Sequence, residues 1–435
     1  MARLFSFGAV IYLLIYAFEA PIRWGLFSVG MDNAILARDA LIMVPLLILF
    51  VAQSFRLRVH PAFWAFAVII ALHGLIATLV FHTTIPAIYG AKMLVNVLFG
   101  FIAARQLLQP GRSVLSLMAL VWLVCVVGVG LEKFIYSFPW AGLSTHVGGI
   151  TVPMSVNWDI DSGIEQRAAG FMRSSISAAM LIPVLGLMLA CRLGNWMLRF
   201  LVLAITVGTV FLTTQKGSVI AIAGVSVALL VPMAWRWTML KWECIGFAML
   251  VIMMPIFTAG LLMAESGGVF SLSSFAMRIT DTWPDAWRWI NNNQVFPFGV
   301  GLGGIGGAQR FFAEDFMNPS DNLYVFLYGT FGVLGLVYLG WAIAQMLLLP
   351  RELRSAGTTA AAVLTFNIGY GVALSMLEDQ VSALFIGASV GLLWQMRQFA
   401  LARPWSDPFV GAGMRLPVPL VFGRPTKSGA MVELT

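Results

Sequence analysis

Apolar runs of roughly 18 to 22 residues recur along this chain, most of them closed by one or two arginines or lysines. About 20 helical residues cross the roughly 30 Å hydrocarbon layer of a bilayer, where every backbone N–H and C=O needs a partner inside the protein. The pattern therefore predicts an all-α fold, a polytopic integral membrane protein, and a mean hydropathy of +0.89 excludes a soluble globular domain. Leu4–Ala20 is apolar, but Pro21-Ile22-Arg23 follows it in place of a small-residue cleavage site, so it reads as the first span and not as a signal peptide. The net charge of +7 does not point to nucleic acid, because the basic residues punctuate the runs and form no patch. Cys125, Cys191 and Cys244 lie in or beside apolar runs with no CxxC and no neighbouring His. Neither a disulfide framework nor a metal site is expected, and no cofactor is implied.

Spans are expected near 5–27, 34–53, 62–81, 86–107, 113–131, 172–191, 198–214, 217–235, 243–263, 322–349, 358–377 and 380–398, about twelve in a single transmembrane domain over 1–402. With Arg3 inside, the cytoplasmic turns hold Arg56 and Arg58, Arg105 and Arg112, Arg192 and Arg199, Arg236 and Lys241, and Arg351 and Arg354. All are basic, as the positive-inside rule requires, and both termini come out cytoplasmic. Residues 403–435, rich in Pro, Gly and Arg, read as a disordered basic tail near the anionic inner leaflet. Two long segments remain for the outer face, Glu132–Phe171 and Ala264–Asp321. The second concentrates the charge, Asn, Gly and Trp that lipid rejects. No internal repeat of the transporter kind is visible.

Six cations break the charge rule: Arg167, Arg173, Lys216, Arg278, Arg288 and Arg310 fall on or near the outer face. Taken singly, each reads equally as a side chain snorkelling to headgroups. Taken together, they read as the surroundings of a shared anion, since charge at a membrane boundary is costly without a partner or a watery cavity. A lipid phosphate or diphosphate is the anion at hand, and a guanidinium fork suits it.

Ser271 to Asn291 projects as an amphipathic helix with Arg278, Asp281, Thr282 and Asp285 on one face and Arg288 at its margin. Ile279, Trp283, Ala286, Trp287 and Ile290 form the other face, and Pro284 kinks it or starts a new turn. The glycine run from Pro297 to Gly307 allows close approach to a ligand or to another helix. Asp321 is expected either as an ordinary helix cap or as a carboxylate able to take a proton from a sugar hydroxyl. Glu165, Asp281 and the pair Glu378-Asp379 are reserves for that role, the last pair reading also as a solvated turn.

In order, these residues resemble the O-antigen ligase and Wzy-type polysaccharide polymerase superfamily over Arg167 to Leu339. Arg167-Ala-Ala-Gly170-Phe171, the turn Thr213-Thr-Gln-Lys216-Gly-Ser218, and Arg278, Trp283, Pro297, Gly299 and Gly301 are similar to its successive signatures. Asp321-Asn322-Leu-Tyr324, with Gly332 and Gly335 after it, is similar to the family's His-Asn-x-Tyr span. Two departures stand out. Lys216 takes an arginine position, which removes bidentate geometry. Asp321 takes a histidine position, and a carboxylate titrates lower and cannot donate when ionised.

The resemblance implies a GT-C-like architecture and metal-independent glycosyl transfer from undecaprenyl diphosphate on the outer face of a bacterial inner membrane. A polymerase would move the growing glycan onto a new lipid-linked repeat, and xanthan-like exopolysaccharide polymerases look nearest in length and loop layout. Arg167, Arg173, Lys216, Arg278 and Arg288 would surround the donor diphosphate. Asp321, with Arg278 and Arg288, would carry the chemistry, and Asn322 and Tyr324 would lie on the acceptor side. Expected partners are the lipid-linked oligosaccharide, membrane lipids and a chain-length regulator or export complex. Ligation of a finished glycan to a lipid or protein acceptor uses the same parts. A transporter or flippase is the reading from another class, and it would place ionisable groups in the cores of several spans.

Overall fold

The computed structural model describes residues 1–147, 150–155, 167–258 and 273–402. Glu165, the first part of the second outer segment and the tail 403–435 lie outside the described residues. The chain is mostly helical. In order come α1 (Ala2–Ala17), α2 (Glu19–Ser28), a 3-10 turn at Asp32–Asp39, α3 (Ala40–Ser54), α4 (Pro61–Phe81), α5 (Ile85–Ile102), α6 (Ala104–Leu108) and α7 (Arg112–Phe134). A two-stranded antiparallel hairpin, β1 (Ser144–Val147) and β2 (Ile150–Pro153), follows, a small addition to a chain whose helices are compatible with the expected all-α class. Then come α8 (Ser175–Arg192), α9 (Trp196–Leu212), α10 (Lys216–Leu230), α11 (Met233–Phe257), α12 (Ser273–Met277), α13 (Trp283–Asn293), α14 (Leu323–Phe331), α15 (Val333–Leu347), α16 (Arg354–Tyr370) and α17 (Gln380–Leu401).

Among the described residues, six helices are long and apolar enough to cross a membrane, or up to eight if each of two bent pairs counts as one span. The expected first span, 5–27, is one of those pairs. Its helix stops at Ala17, and α2 leaves at 78°. Pro21 gives the reason, because its ring would collide with the carbonyl four residues back, at Ala17. The expected span 322–349 breaks at Gly332, whose φ of 61° and contact with the Pro297 carbonyl admit no side chain.

Burial separates helices that the sequence presents alike. The apolar window of α8 is 72% buried inside the protein, whereas those of α4 and α11 are 28% buried and leave most of their surface for lipid. Beside α8 lies α16, buried almost throughout from Gly357 to Tyr370. Its Asn367 donates to the Val363 carbonyl at 2.7 Å and accepts from the Ser382 hydroxyl of α17 at 2.8 Å, which removes the cost of an amide in the core. Helix α17 packs on α5 through small residues. A Cβ on Gly100, Gly387 or Gly391 would overlap the carbonyl of Leu384, Val97 or Phe101 respectively.

The basic turns are tied into the bundle at one end. Arg199 donates to the carbonyls of Ala190, Leu193 and Leu229, Arg192 to Leu108, Arg236 to Val231 and Arg354 to Leu349. Helix C-termini leave carbonyls without intrahelical partners and carry partial negative charge, and these guanidinium groups answer both.

Candidate functional site

At the end of the bundle where α1 stops and α17 begins, short loops bring together most of the ionisable groups that sequence reasoning singled out. The glycine run builds this end by packing backbone on backbone. Val300 N–H donates to Gly329 at 2.7 Å and Leu302 N–H to His73 at 3.0 Å. A Cβ on Gly303 would overlap the Pro86 carbonyl, so of the two expected uses of this run, close approach to other helices is the one its contacts explain. The π-helical turn Arg278–Thr282 and the helix after it bury Ile279, Trp283, Ala286 and Ile290 against Val300, Ile305, Val325 and Phe326. Pro284 sits in the first turn of α13, where it needs no N–H partner.

Asp321 does not cap α14. Asn322 does, accepting from Tyr324 N–H at 2.8 Å and Val325 N–H at 3.1 Å. The Asp321 carboxylate is thereby free to meet Arg278, whose Nε donates to Oδ2 at 3.1 Å. Ser320 and Asp321 have φ of 58° and 41°, a left-handed stretch that non-glycine residues rarely adopt. Burial pushes the Asp321 carboxyl above its usual range, and the Arg278 guanidinium opposes that. Tyr370, at the end of α16, feels the charges of Arg278, Asp379, Asp321 and Arg167, and its hydroxyl donates to Gln215 at 3.2 Å. Gln215 precedes Lys216, the exposed first residue of α10.

The pair Glu378-Asp379 is not a solvated turn. Glu378 accepts from Gly307 N–H and from the Ser375 hydroxyl, both at 2.6 Å, and burial pushes its carboxyl up to about 7. Asp321 and Arg310 act on the same carboxyl through space. Asp379 caps α17 through Val381 and Ser382 N–H and receives the Tyr16 hydroxyl.

The densest charge at this end includes two arginines and a glutamate that sequence reasoning passed over. Glu19 receives Arg23 at 2.6 Å and Arg38 at 2.7 Å, and the three side chains are 4%, 7% and 9% exposed. Arg173 is the third guanidinium, under the charges of Glu19, Arg23, Arg38 and Arg310, and burial depresses its proton affinity. Among the described residues these three cations and Lys92 meet two carboxylates, Glu19 and Asp39, the latter 2.6 Å from Lys92 and 3.8 Å from Arg38. Arg23 Nη1, Arg38 Nε and Arg173 Nε are buried donors with no acceptor among the described residues. Buried N–H groups of charged side chains are almost always paired, so this excess has the chemistry of an anion site. The signal was present in the sequence, since Arg23 and Arg38 lie inside apolar segments toward the same side as Arg173.

Other expected residues are placed elsewhere. Arg288 pairs with Asp285 at 2.8 Å on the exposed face of α13, and Asp281 is exposed and bonded by Thr280. Tyr324 packs between Trp287 and Tyr328. Glu132 belongs to α7 and not to the outer segment, where its buried carboxylate receives Ala169 and Gly170 N–H. Among the described residues, no group of three or more His, Cys, Asp or Glu could hold a metal ion. No protein-family model matches this chain, and a search of curated proteins finds none similar to it.

Proposed function

We propose that the protein is a membrane glycosyltransferase, a polysaccharide polymerase that moves a growing glycan from undecaprenyl diphosphate to the terminal sugar of a lipid-linked repeat. In this reading the chain crosses a bacterial inner membrane about twelve times with both termini inside, and the polar end faces the periplasm. The observation that carries it is the set of buried guanidinium donors at Arg23, Arg38 and Arg173 that have no acceptor among the described residues, gathered around the carboxylate of Glu19.

The donor diphosphate lies against those three arginines, with Arg167, Lys216 and Arg278 toward the sugar. Arg288 joins by turning away from Asp285. An acceptor hydroxyl attacks the anomeric carbon, a new C–O bond forms, and the bond to the diphosphate oxygen breaks with its electron pair going to the leaving group. Fixed positive charge aimed at that oxygen lowers the barrier without rearrangement. The proton lost by the acceptor passes to Asp321, held in place by Arg278. Burial, strain and the salt bridge at Asp321 support this assignment, as do the reach of Tyr370 and the backbone contact of Glu378 to the same loops.

Purified protein incubated with a single lipid-linked repeat unit should yield a ladder of lengthened products. A product carrying no more than the starting repeat would sink the proposal. Transport into liposomes without a new glycosidic bond would move it to the flippase reading.

A further inference from the structure

At the opposite, basic end of the bundle, a cavity of about 450 Å³ is lined by Arg236, Trp237, Arg351, Arg354, Ser355 and Thr358. It lies between the first turns of α11 and α16, helices of 25 and 17 residues, the second entered directly from a 3-10 turn, Arg351–Leu353. Helix N-termini present positive dipole ends, so two of them and three guanidinium groups meet around one space. Trp237 is 6% exposed, and its Nε1–H is a buried donor with no acceptor among the described residues. The Arg354 guanidinium covers its ring, 5.9 Å from the centroid. Arg236 and Arg354 each give one donor to a backbone carbonyl, at 3.3 and 3.4 Å, and keep further N–H groups. Glu352 is the nearest acid in sequence, and it is exposed.

We propose that this cavity binds the phosphate headgroup of an anionic phospholipid. The source is a lipid and not a free anion because α11 leaves most of its apolar surface uncovered beside the pocket, where acyl chains belong. With the basic turns inside, the lipid comes from the inner leaflet. The inference rests on the chain lying in a bilayer and is independent of the reaction at the other end.

The test uses full-length protein in nanodiscs of phosphatidylcholine with a minority of phosphatidylglycerol, followed by native mass spectrometry of the lipid retained on transfer to detergent. Retention of phosphatidylglycerol over phosphatidylcholine is expected. It should fall about fivefold for each guanidinium removed in Arg236→Ala and Arg351→Ala. Arg236→Lys should keep most of it, and Trp237→Phe, which preserves the ring, should lower it about tenfold. Lys and Phe variants with an unchanged Tm in phosphatidylcholine alone separate binding from folding. Equal retention of both lipids, or retention unchanged in Arg236→Ala and Trp237→Phe, overturns the proposal. Displacement of the lipid by glycerol 3-phosphate at similar concentration overturns the lipid as the source.

Discussion

Arg278 and Asp321 form one unit, and their removal should be equivalent. Arg278→Ala and Asp321→Ala are each expected to abolish polymer in cells while membrane insertion stays intact, read by product ladders and membrane fractionation; full-length polymer from either variant refutes the assignment. Arg23→Ala or Arg38→Ala should weaken donor binding about tenfold or more, as loss of a charge-assisted hydrogen bond does, with KM moving before kcat. Glu378 gives a pH signature. The fold favours its neutral form, so its contribution is complete below about 4.5 and disappears as pH rises to about 7. Ionisation there also adds negative charge beside Asp321 and Arg310. Stability and donor affinity should therefore both decline toward pH 7, and Glu378→Gln should flatten both curves; parallel wild-type and variant profiles contradict this. Arg278 and Asp321 were legible from residue type and order alone. The cap was not, because Asp and Asn are nearly equivalent at a helix start, and only the backbone turn at Ser320 decides that Asn322 takes the role. Arg23 and Arg38 resembled residues ending spans, and their partner Glu19 was hidden inside what read as one helix.

Most helix positions could be read from apolar length, since about 20 residues fit a bilayer whatever their tertiary partners. Breaks within them were harder. Pro21 is a visible cause of the turn after Ala17, yet prolines 45, 183 and 255 lie inside continuous helices, so the residue type alone does not decide. Which helices are central was also hidden, because α8 and α4 are apolar on every side and lipid and protein accept the same side chains. The loop over 297–307 is an element in its own right. Gly303→Ala should cost at least about 2 kcal/mol, since φ is 67° and the Pro86 carbonyl occupies the Cβ position. Gly208→Ala, in helix α9 with nothing within 4 Å, should be neutral or slightly stabilising. Unfolding of both variants in detergent checks the contrast, and equal Tm values would remove the packing role given to the loop.

For the whole molecule, charge at the two ends predicts orientation. Arg288→Cys should react with an impermeant thiol reagent in intact cells, and Arg351→Cys only after permeabilisation. The reverse pattern would invert the topology. The three native cysteines are buried or half-buried, which limits background. The union of α5 with α17 has a further consequence. The glycine contacts that seat these helices join residues 97–101 to residues 384–391, far apart in the sequence. During synthesis, α5 therefore waits for nearly the whole polypeptide to emerge before its closest neighbour exists. Asp379, Gln380 and the loop before them, which complete the polar end, arrive with that last helix. A ribosome stalled before α17 would leave a nascent chain whose polar end lacks Asp379 and Gln380 and whose Gly100 has no partner helix.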